Sequence, residues 1–83
     1  MEQKRTVYIL KNLESPPRYY IGLTANLRER LDDHNQGRSP HTALHRPWVV
    51  DVAIKFGDER RAVALERYLK TGSGYAFAIR HLR

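Results

Sequence analysis

The segment 48–56 constrains the fold more than any other part of the chain. Apolar side chains alternate there with the other positions, two of which are Asp51 and Lys55. Alternation over this length is typical of a strand that buries one face. Such a strand needs partner strands and a covering layer, because it cannot bury its apolar face alone. The pattern predicts that five side chains share that face: Trp48, Val50, Val52, Ile54 and Phe56.

Two shorter segments before it also have the composition of strands. Residues 6–10 read TVYIL and residues 19–23 read YYIGL, both rich in β-branched and aromatic side chains. Between them, Ser15-Pro16-Pro17 cannot contribute to a strand ladder and predicts a loop. We therefore expect an antiparallel hairpin.

Local capping signals predict two helices. Asn26 is suited to begin the first, with Glu29 three residues later in a variant of the capping box, and the helix should run to about Asn35. Asp58 is suited to cap the second, over residues 59–70, which Gly72 would close. The last segment, 73–83, is expected to add a short helix or strand.

The helical phase of each helix places polar side chains beside an apolar stripe. In the first helix, Arg30 and His34 lie one turn apart at the margin of the stripe formed by Leu27 and Leu31. In the second, Glu66 lies at the edge of the face that should be buried. A polar residue at such a margin is a candidate for a site between layers.

Together these elements predict one domain over residues 1–83. Their order is β-β-α-β-α followed by a C-terminal tail. The expected fold class is an α/β (α+β) sandwich with a small three-stranded antiparallel sheet flanked by helices.

Composition narrows the classes of function. The chain has 15 Lys+Arg against 9 Asp+Glu, a net charge of +6, and eleven of the cations are arginines suited to bidentate contact with phosphate. Nucleic acid is the first expected partner, and a charge that serves only solubility is the alternative. With no cysteine, disulfides and thiolate metal sites are excluded. No apolar run approaches the ~20 residues that span a bilayer, so we expect a cytoplasmic protein.

A set of motifs resembles the GIY-YIG nuclease family, and in particular its single-domain, excinuclease-like members. Thr6-Val7-Tyr8 stands where the family has its first motif, and Tyr20-Ile21-Gly22 is the second motif intact. Arg30 follows Tyr20 by the ten positions seen in the family, and His34 lies where the family carries His or Tyr. The segment AVALERYLK resembles the later helix that supplies a metal-binding carboxylate, here Glu66. The sequence departs from the family in reading TVY for GIY.

The resemblance implies a DNA endonuclease that depends on Mg²⁺ or Mn²⁺ and acts in DNA repair or recombination. It implies Tyr8 as general base, Tyr20 and His34 as assisting groups, Arg30 on the scissile phosphate and Glu66 on the metal. A single carboxylate is compatible with a one-metal site, because Mg²⁺ keeps several waters. The alternatives are a nucleic-acid-binding module that does not cleave, and a subunit active only with a protein partner that supplies specificity.

Further contacts with DNA phosphates are expected from the basic and hydroxyl side chains around this site. His41 and His45 lie four residues apart, but prolines interrupt any helix and no acid lies at a useful spacing, so a zinc site is not expected. The segment 38–47 is instead predicted to be a loop that faces DNA. The candidate DNA-binding residues are Thr24, Arg28, Arg38, Thr42, Arg46 and Lys70.

Overall fold

The computed structural model describes residues 2–83 and has the expected architecture. One antiparallel sheet in the order β2-β1-β3 is flanked by helices, so the predicted fold class is confirmed. Among residues 2–83, no helix is both long and apolar enough to cross a membrane. The elements are β1 (Thr6–Asn12), β2 (Tyr19–Thr24), α1 (Leu27–Asn35), a 3₁₀ turn (Ala43–His45), β3 (Trp48–Lys55), α2 (Glu59–Leu69) and α3 (Gly72–His81).

The central strand β1 divides the core into two layers, because alternate side chains of a strand point to opposite faces. Val7 packs on one face against α2 and α3, where Ala62 and Leu69 are buried. Tyr8 and Leu10 are buried on the opposite face. The second face is completed by Trp48 and by the partly buried Tyr20, Leu27 and Leu31.

A bulge in β3 overturns the prediction that its five apolar side chains share one face. Val50 pairs with Leu10 and Val52 pairs with Ile9, so Asp51 between them has no partner in β1. One extra residue in a strand reverses the faces of everything beyond it. Accordingly Trp48 packs with Tyr8, whereas Phe56 packs in the layer of α2 and α3.

The predicted helix caps are confirmed. The side chain of Asn26 accepts a hydrogen bond from the backbone N–H of Glu29 (3.1 Å), and that of Asp58 accepts from Arg61 (2.9 Å). After α1 the backbone turns at Gly37, which has a positive φ of 78°. Such a conformation suits glycine, because it has no Cβ to clash.

The prediction that Gly72 closes α2 is wrong, because Gly72 is the first residue of α3. Thr71 caps this third helix by accepting from the N–H of Gly74 (3.1 Å), so the two helices follow each other with a sharp turn. A Cβ on Gly74 would overlap the Tyr68 carbonyl and lie 2.7 Å from the Cα of Leu69. The turn is therefore tight enough to need a glycine at that position.

We expect Gly74→Ala to lower the free energy of unfolding by about 1–3 kcal/mol or more, because the clash is with backbone that cannot rotate away. Gly72→Ala is the matched control, since a Cβ there meets nothing within 4 Å. Urea unfolding of the two variants measures the difference. Equal stabilities would contradict the close approach of α2 and α3.

Candidate active site

Tyr8 lies in the central strand with its ring over the backbone of β2. Its cross-strand partner is Gly22, and a Cβ at Gly22 would overlap the end of the Tyr8 ring and lie 2.8 Å from its Cε1. The missing side chain thus leaves the space through which the phenol passes. Tyr8 itself is only 1% exposed.

His34 connects this tyrosine to α1 and to the loop after it. The Tyr8 hydroxyl lies 3.0 Å from His34 Nε2, and His34 Nδ1 lies 2.7 Å from the hydroxyl of Thr42. The Thr42 hydroxyl donates to the carbonyl of Ser39 (3.5 Å), so it accepts from Nδ1–H. This leaves Nε2 unprotonated, and the Tyr8 hydroxyl donates to it. His34 was expected at the margin of the stripe but is fully buried.

Burial keeps both members of this pair neutral. It lowers the pKa of His34, and the nearby charge of Arg30 lowers it further. Burial also raises the pKa of Tyr8, against the opposing effect of Arg30. A neutral phenol that donates to a neutral imidazole is consistent with both shifts.

Arg30 and Tyr20 bring a cation and a second phenol to the same place. The Tyr20 ring lies edge-on to His34 with centroids 4.9 Å apart, and 6.4 Å from the ring of Tyr8. Burial would lower the pKa of Arg30, but the hydroxyls of Tyr8 and Tyr20 outweigh it, and the pKa is raised. The side chain of Arg30 is one third exposed and makes a long ion pair of 3.7 Å with Asp33. It is therefore a fixed cation that still reaches solvent.

Glu66 comes from α2, in the layer behind the sheet. Its side chain is 17% exposed and pairs with Lys70 at 2.6 Å. Its charge contributes to raising the Tyr8 pKa, although burial is the main cause, so the carboxylate lies within electrostatic reach of the phenol. The two layers meet at β2, which is an edge strand of the sheet.

The donor set fits a hard divalent cation held largely by its own water. Within residues 2–83, no three His, Asp or Glu side chains group closely enough to hold a metal ion among themselves. A single carboxylate, with no thiolate in the chain, suits Mg²⁺ or Mn²⁺ rather than zinc. Glu66 is the residue that would hold such an ion.

The comparisons with known proteins identify the family of the chain. The model of the GIY-YIG catalytic domain matches residues 4–75, which includes every candidate catalytic residue. The chain belongs to the GIY-YIG nuclease family. A UPF0213 protein of Streptococcus pneumoniae serotype 4 (strain ATCC BAA-334 / TIGR4) is 32% identical over 71 residues, which cover 84% of this chain and 70% of that relative. No solved structure matches the chain.

Two of the residues expected to bind DNA are buried in this GIY-YIG domain. Thr42 is 0% exposed and orients His34, and the indole N–H of Trp48 donates to its carbonyl (2.9 Å). Thr24 is 7% exposed, and its hydroxyl donates to the Asn26 carbonyl and accepts from the Asn26 N–H. Both hydroxyls are engaged in hydrogen bonds inside the fold, and their contact with DNA stays a prediction.

The four basic candidates are exposed, but three of them already have polar partners. Arg38 pairs with Asp33 at 2.6 Å, Lys70 pairs with Glu66, and Arg46 donates to the carbonyl of Ala43 (2.7 Å). Arg28 makes no ion pair within residues 2–83 and, with Glu29 and Asp32, lines an open groove along α1. Their contact with DNA stays a prediction.

Sequence reasoning missed two residues that shape the site. Gly22 was named only as part of the second motif, whereas it makes room for the ring of Tyr8. Thr42 orients the ring of His34 from eight residues away. The first could have been inferred from the pairing of the two motifs across a hairpin. No local signal in the segment 38–47 indicates the second.

The lowered pKa of His34 predicts that stability falls in mild acid. Since the unfolded histidine titrates near pH 6.5, the unfolded chain binds more protons than the folded one below that pH. The stabilisation is therefore complete above about pH 6.5 and is lost as the pH falls toward the lower pKa of the folded state. The pKa values of Glu14 and Asp58 are also lowered, the first by His45 and the second by the N–H of Arg61, but carboxylates titrate at lower pH. Urea unfolding measured between pH 7 and pH 5 therefore separates the effect of His34 from that of these carboxylates.

His34→Gln is the matched control, because an amide can accept from Tyr8 and donate to Thr42 without titrating. We expect its stability to change less than that of the wild type over the same pH range. An equally steep loss in the variant would assign the pH dependence to another group.

Proposed function

We propose that this GIY-YIG domain is a metal-dependent DNA endonuclease. The observation that supports the proposal is the grouping of two phenols, an arginine and a histidine on one face of the sheet, with the charge of Glu66 acting on Tyr8 from the layer behind it. These side chains come from β1, β2, α1 and α2, so no single element accounts for their grouping. A role in DNA repair or recombination is a prediction from the family resemblance.

Arg30 and Glu66 are proposed to handle charge in the reaction. Hydrolysis of a phosphodiester builds charge on the phosphoryl oxygens and on the leaving oxygen. Arg30 is a partly exposed guanidinium that would contact the scissile phosphate. A divalent cation on Glu66, when bound, would neutralise further charge on the phosphate and leaving oxygen. Lys70, now paired with Glu66, would give up or share that carboxylate.

The different burial of the two tyrosines supports different roles for them. Tyr20 is half-buried and so has surface from which to contact an attacking water. Tyr8 is buried, has a raised pKa and donates to His34. We therefore assign contact with the water to Tyr20, in place of the base role first expected for Tyr8. Tyr8 and His34 are positioning residues that hold the ring of Tyr20 and the guanidinium of Arg30 in place.

The test is cleavage of plasmid, single-stranded, branched and flapped DNA with Mg²⁺ or Mn²⁺. We expect cleavage of at least one substrate, its loss in EDTA, and a higher metal requirement in Glu66→Gln. Glu59→Gln, at the start of the same helix, is the matched control. DNA binding without cleavage under all these conditions would favour a binding module, and cleavage only with a copurifying protein would favour a partner-dependent subunit.

Tyr8→Phe and Tyr20→Phe separate the roles of the two phenols, because each removes one hydroxyl and keeps the ring. Removal of a general base commonly costs about 10²–10⁴-fold in rate, which we expect for Tyr20→Phe. Tyr8→Phe should cost less, and it should shift the pH profile because His34 loses its donor. The reverse order of rates would return the base role to Tyr8.

A further inference from the structure

A groove of about 460 Å³ lies on the side of the sheet opposite the Tyr8–His34 pair, between β2 and α3. It is within the size range of small-molecule sites in proteins. Its walls are apolar at Ile9, Ile21 and Ala78 and basic at the rim. The roles proposed above involve Tyr20 and Lys70 of its lining, and they leave Tyr19, Tyr75 and Arg83 without a role.

Two tyrosine rings in the groove hold a flat cation. The guanidinium of Arg83 lies over the ring of Tyr19 at 4.0 Å from its centroid, and over that of Tyr75 at 5.0 Å. Tyr19 comes from β2 and Tyr75 from α3, so the two rings approach one planar group from different elements. We call the space between these two rings the tyrosine slot. A nucleobase is also planar and stacks on aromatic rings.

The rim of the groove carries three cations. Arg18 pairs with Glu14 at 3.0 Å, and Lys70 pairs with Glu66. The guanidinium of Arg83 makes no ion pair within residues 2–83 and is held only against the two rings. A ligand that combines a flat ring with negative charge is complementary to this surface.

The groove shares two lining residues with the candidate active site. Tyr20 and Lys70 both line it, and they are the residues whose ring contacts His34 and whose ammonium pairs with Glu66. A nucleotide chain bound across Arg30 and Glu66 can therefore pass over the β2 edge into the groove.

We propose that the tyrosine slot binds one unpaired nucleobase of the DNA strand whose phosphate lies at the active site. The base takes the place of the Arg83 guanidinium between the rings, and Arg83 is released to contact a neighbouring phosphate. The base must be unpaired, because in a duplex both its faces are covered by stacked neighbours. This inference rests on the proposed function, because it takes the bound strand to be the DNA that is cleaved. It identifies single-stranded DNA as the ligand of the groove.

Binding in EDTA tests the slot without cleavage. Fluorescence anisotropy would compare a labelled single-stranded oligonucleotide with its duplex, for the wild type, Tyr75→Ala and Tyr75→Phe. Base stacking on an aromatic ring supports a loss of about 5- to 100-fold in affinity for single strands with Tyr75→Ala. Tyr75→Phe keeps the ring and should bind like the wild type. Tyr75 is 57% exposed, so its removal should leave the fold intact.

Tyr68→Ala is the matched control, because Tyr68 is also an exposed tyrosine but packs with Phe77 outside the groove. It should leave affinity for single strands unchanged. The second measurement is a scan in which one base of the oligonucleotide at a time is replaced by an abasic site. We expect one position whose loss weakens binding to the wild type but not to Tyr75→Ala, because the two changes remove the same contact.

The outcomes separate the slot from the nuclease. Wild-type affinity in Tyr75→Ala, or no abasic position that depends on Tyr75, would overturn the tyrosine slot even if the protein cleaves DNA. A Tyr75-dependent abasic position in a protein that never cleaves would support the slot and contradict the proposed nuclease. Equal losses in Tyr75→Phe and Tyr75→Ala would show that the hydroxyl, not stacking, binds the strand.

Discussion

Arg30→Ala is expected to lower the rate of DNA cleavage by about 10²–10³-fold, the range found when one preorganised charge-stabilising donor is removed. The guanidinium lies beside both tyrosine hydroxyls, and its charge opposes the rise in the pKa of Tyr8 and lowers the pKa of His34. Its loss therefore leaves the reacting phosphate without a fixed cation on the α1 side. Single-turnover cleavage at saturating protein measures the chemical step.

Arg30→Lys and Arg60→Ala are the control variants for this prediction. Lysine keeps the charge but loses the planar donor fork, so we expect partial activity. Arg60 is an exposed arginine of α2, and its removal should leave the rate near that of the wild type. Affinity for DNA in EDTA should fall little in Arg30→Ala, because ten other arginines remain available to contact the backbone.

A second measurement distinguishes an Arg30→Ala variant that has lost only the charge from one that has unfolded. Arg30 helps to lower the pKa of His34, although burial is the main cause. In a folded Arg30→Ala variant the His34 titration, followed by NMR, should move to higher pH. Wild-type cleavage by this variant would remove Arg30 from the site.

Gly22→Ala is expected to destabilise the domain by about 1–3 kcal/mol and to abolish most of its activity. The new methyl group would overlap the end of the Tyr8 ring, and Tyr8 is buried with no room to rotate away. The ring must shift and leave its hydrogen bond to His34. Thermal unfolding and cleavage of the same preparation measure both effects.

A double-variant cycle identifies the clash as the cause. Tyr8→Leu removes the atoms that the methyl group would meet, so Gly22→Ala should cost less in that background than in the wild type. Gly72→Ala again serves as the control for the substitution itself, since it has open space around it. Additive costs in the cycle would mean that Gly22 acts through something other than Tyr8.

The features that were predictable from sequence depend on residues close together in the chain. Asn26 and Asp58 cap helices through the N–H of a residue three positions later, and that geometry is independent of the rest of the fold. The strands follow from β-branched and aromatic runs in the same way. The resemblance to GIY-YIG nucleases also depends on spacing along the chain, and the family match over residues 4–75 confirms it.

The features that were not predictable depend on contacts between elements. Apolar side chains do alternate in residues 48–56, but Asp51 has no partner in β1. The residues after Asp51 therefore point their apolar side chains to the opposite face of the sheet. The segment 38–47 was expected to face DNA, yet its Thr42 is buried. The Thr42 hydroxyl accepts a hydrogen bond from Nδ1 of His34 in α1. α3 was left undecided between helix and strand, and its capping by Thr71 follows directly from the end of α2.

By itself the sequence determined the two helix caps, the order of the strands along the chain and the marginal positions of Arg30 and Glu66, because each depends on spacing of a few residues. Only the tertiary structure decided which phenol is buried, how His34 is oriented and where the tyrosine slot forms. These features depend on the strand register, on the bulge in β3 and on the glycine opposite Tyr8. Each involves segments far apart in the chain that pack against one another and share hydrogen bonds, so local sequence does not specify it.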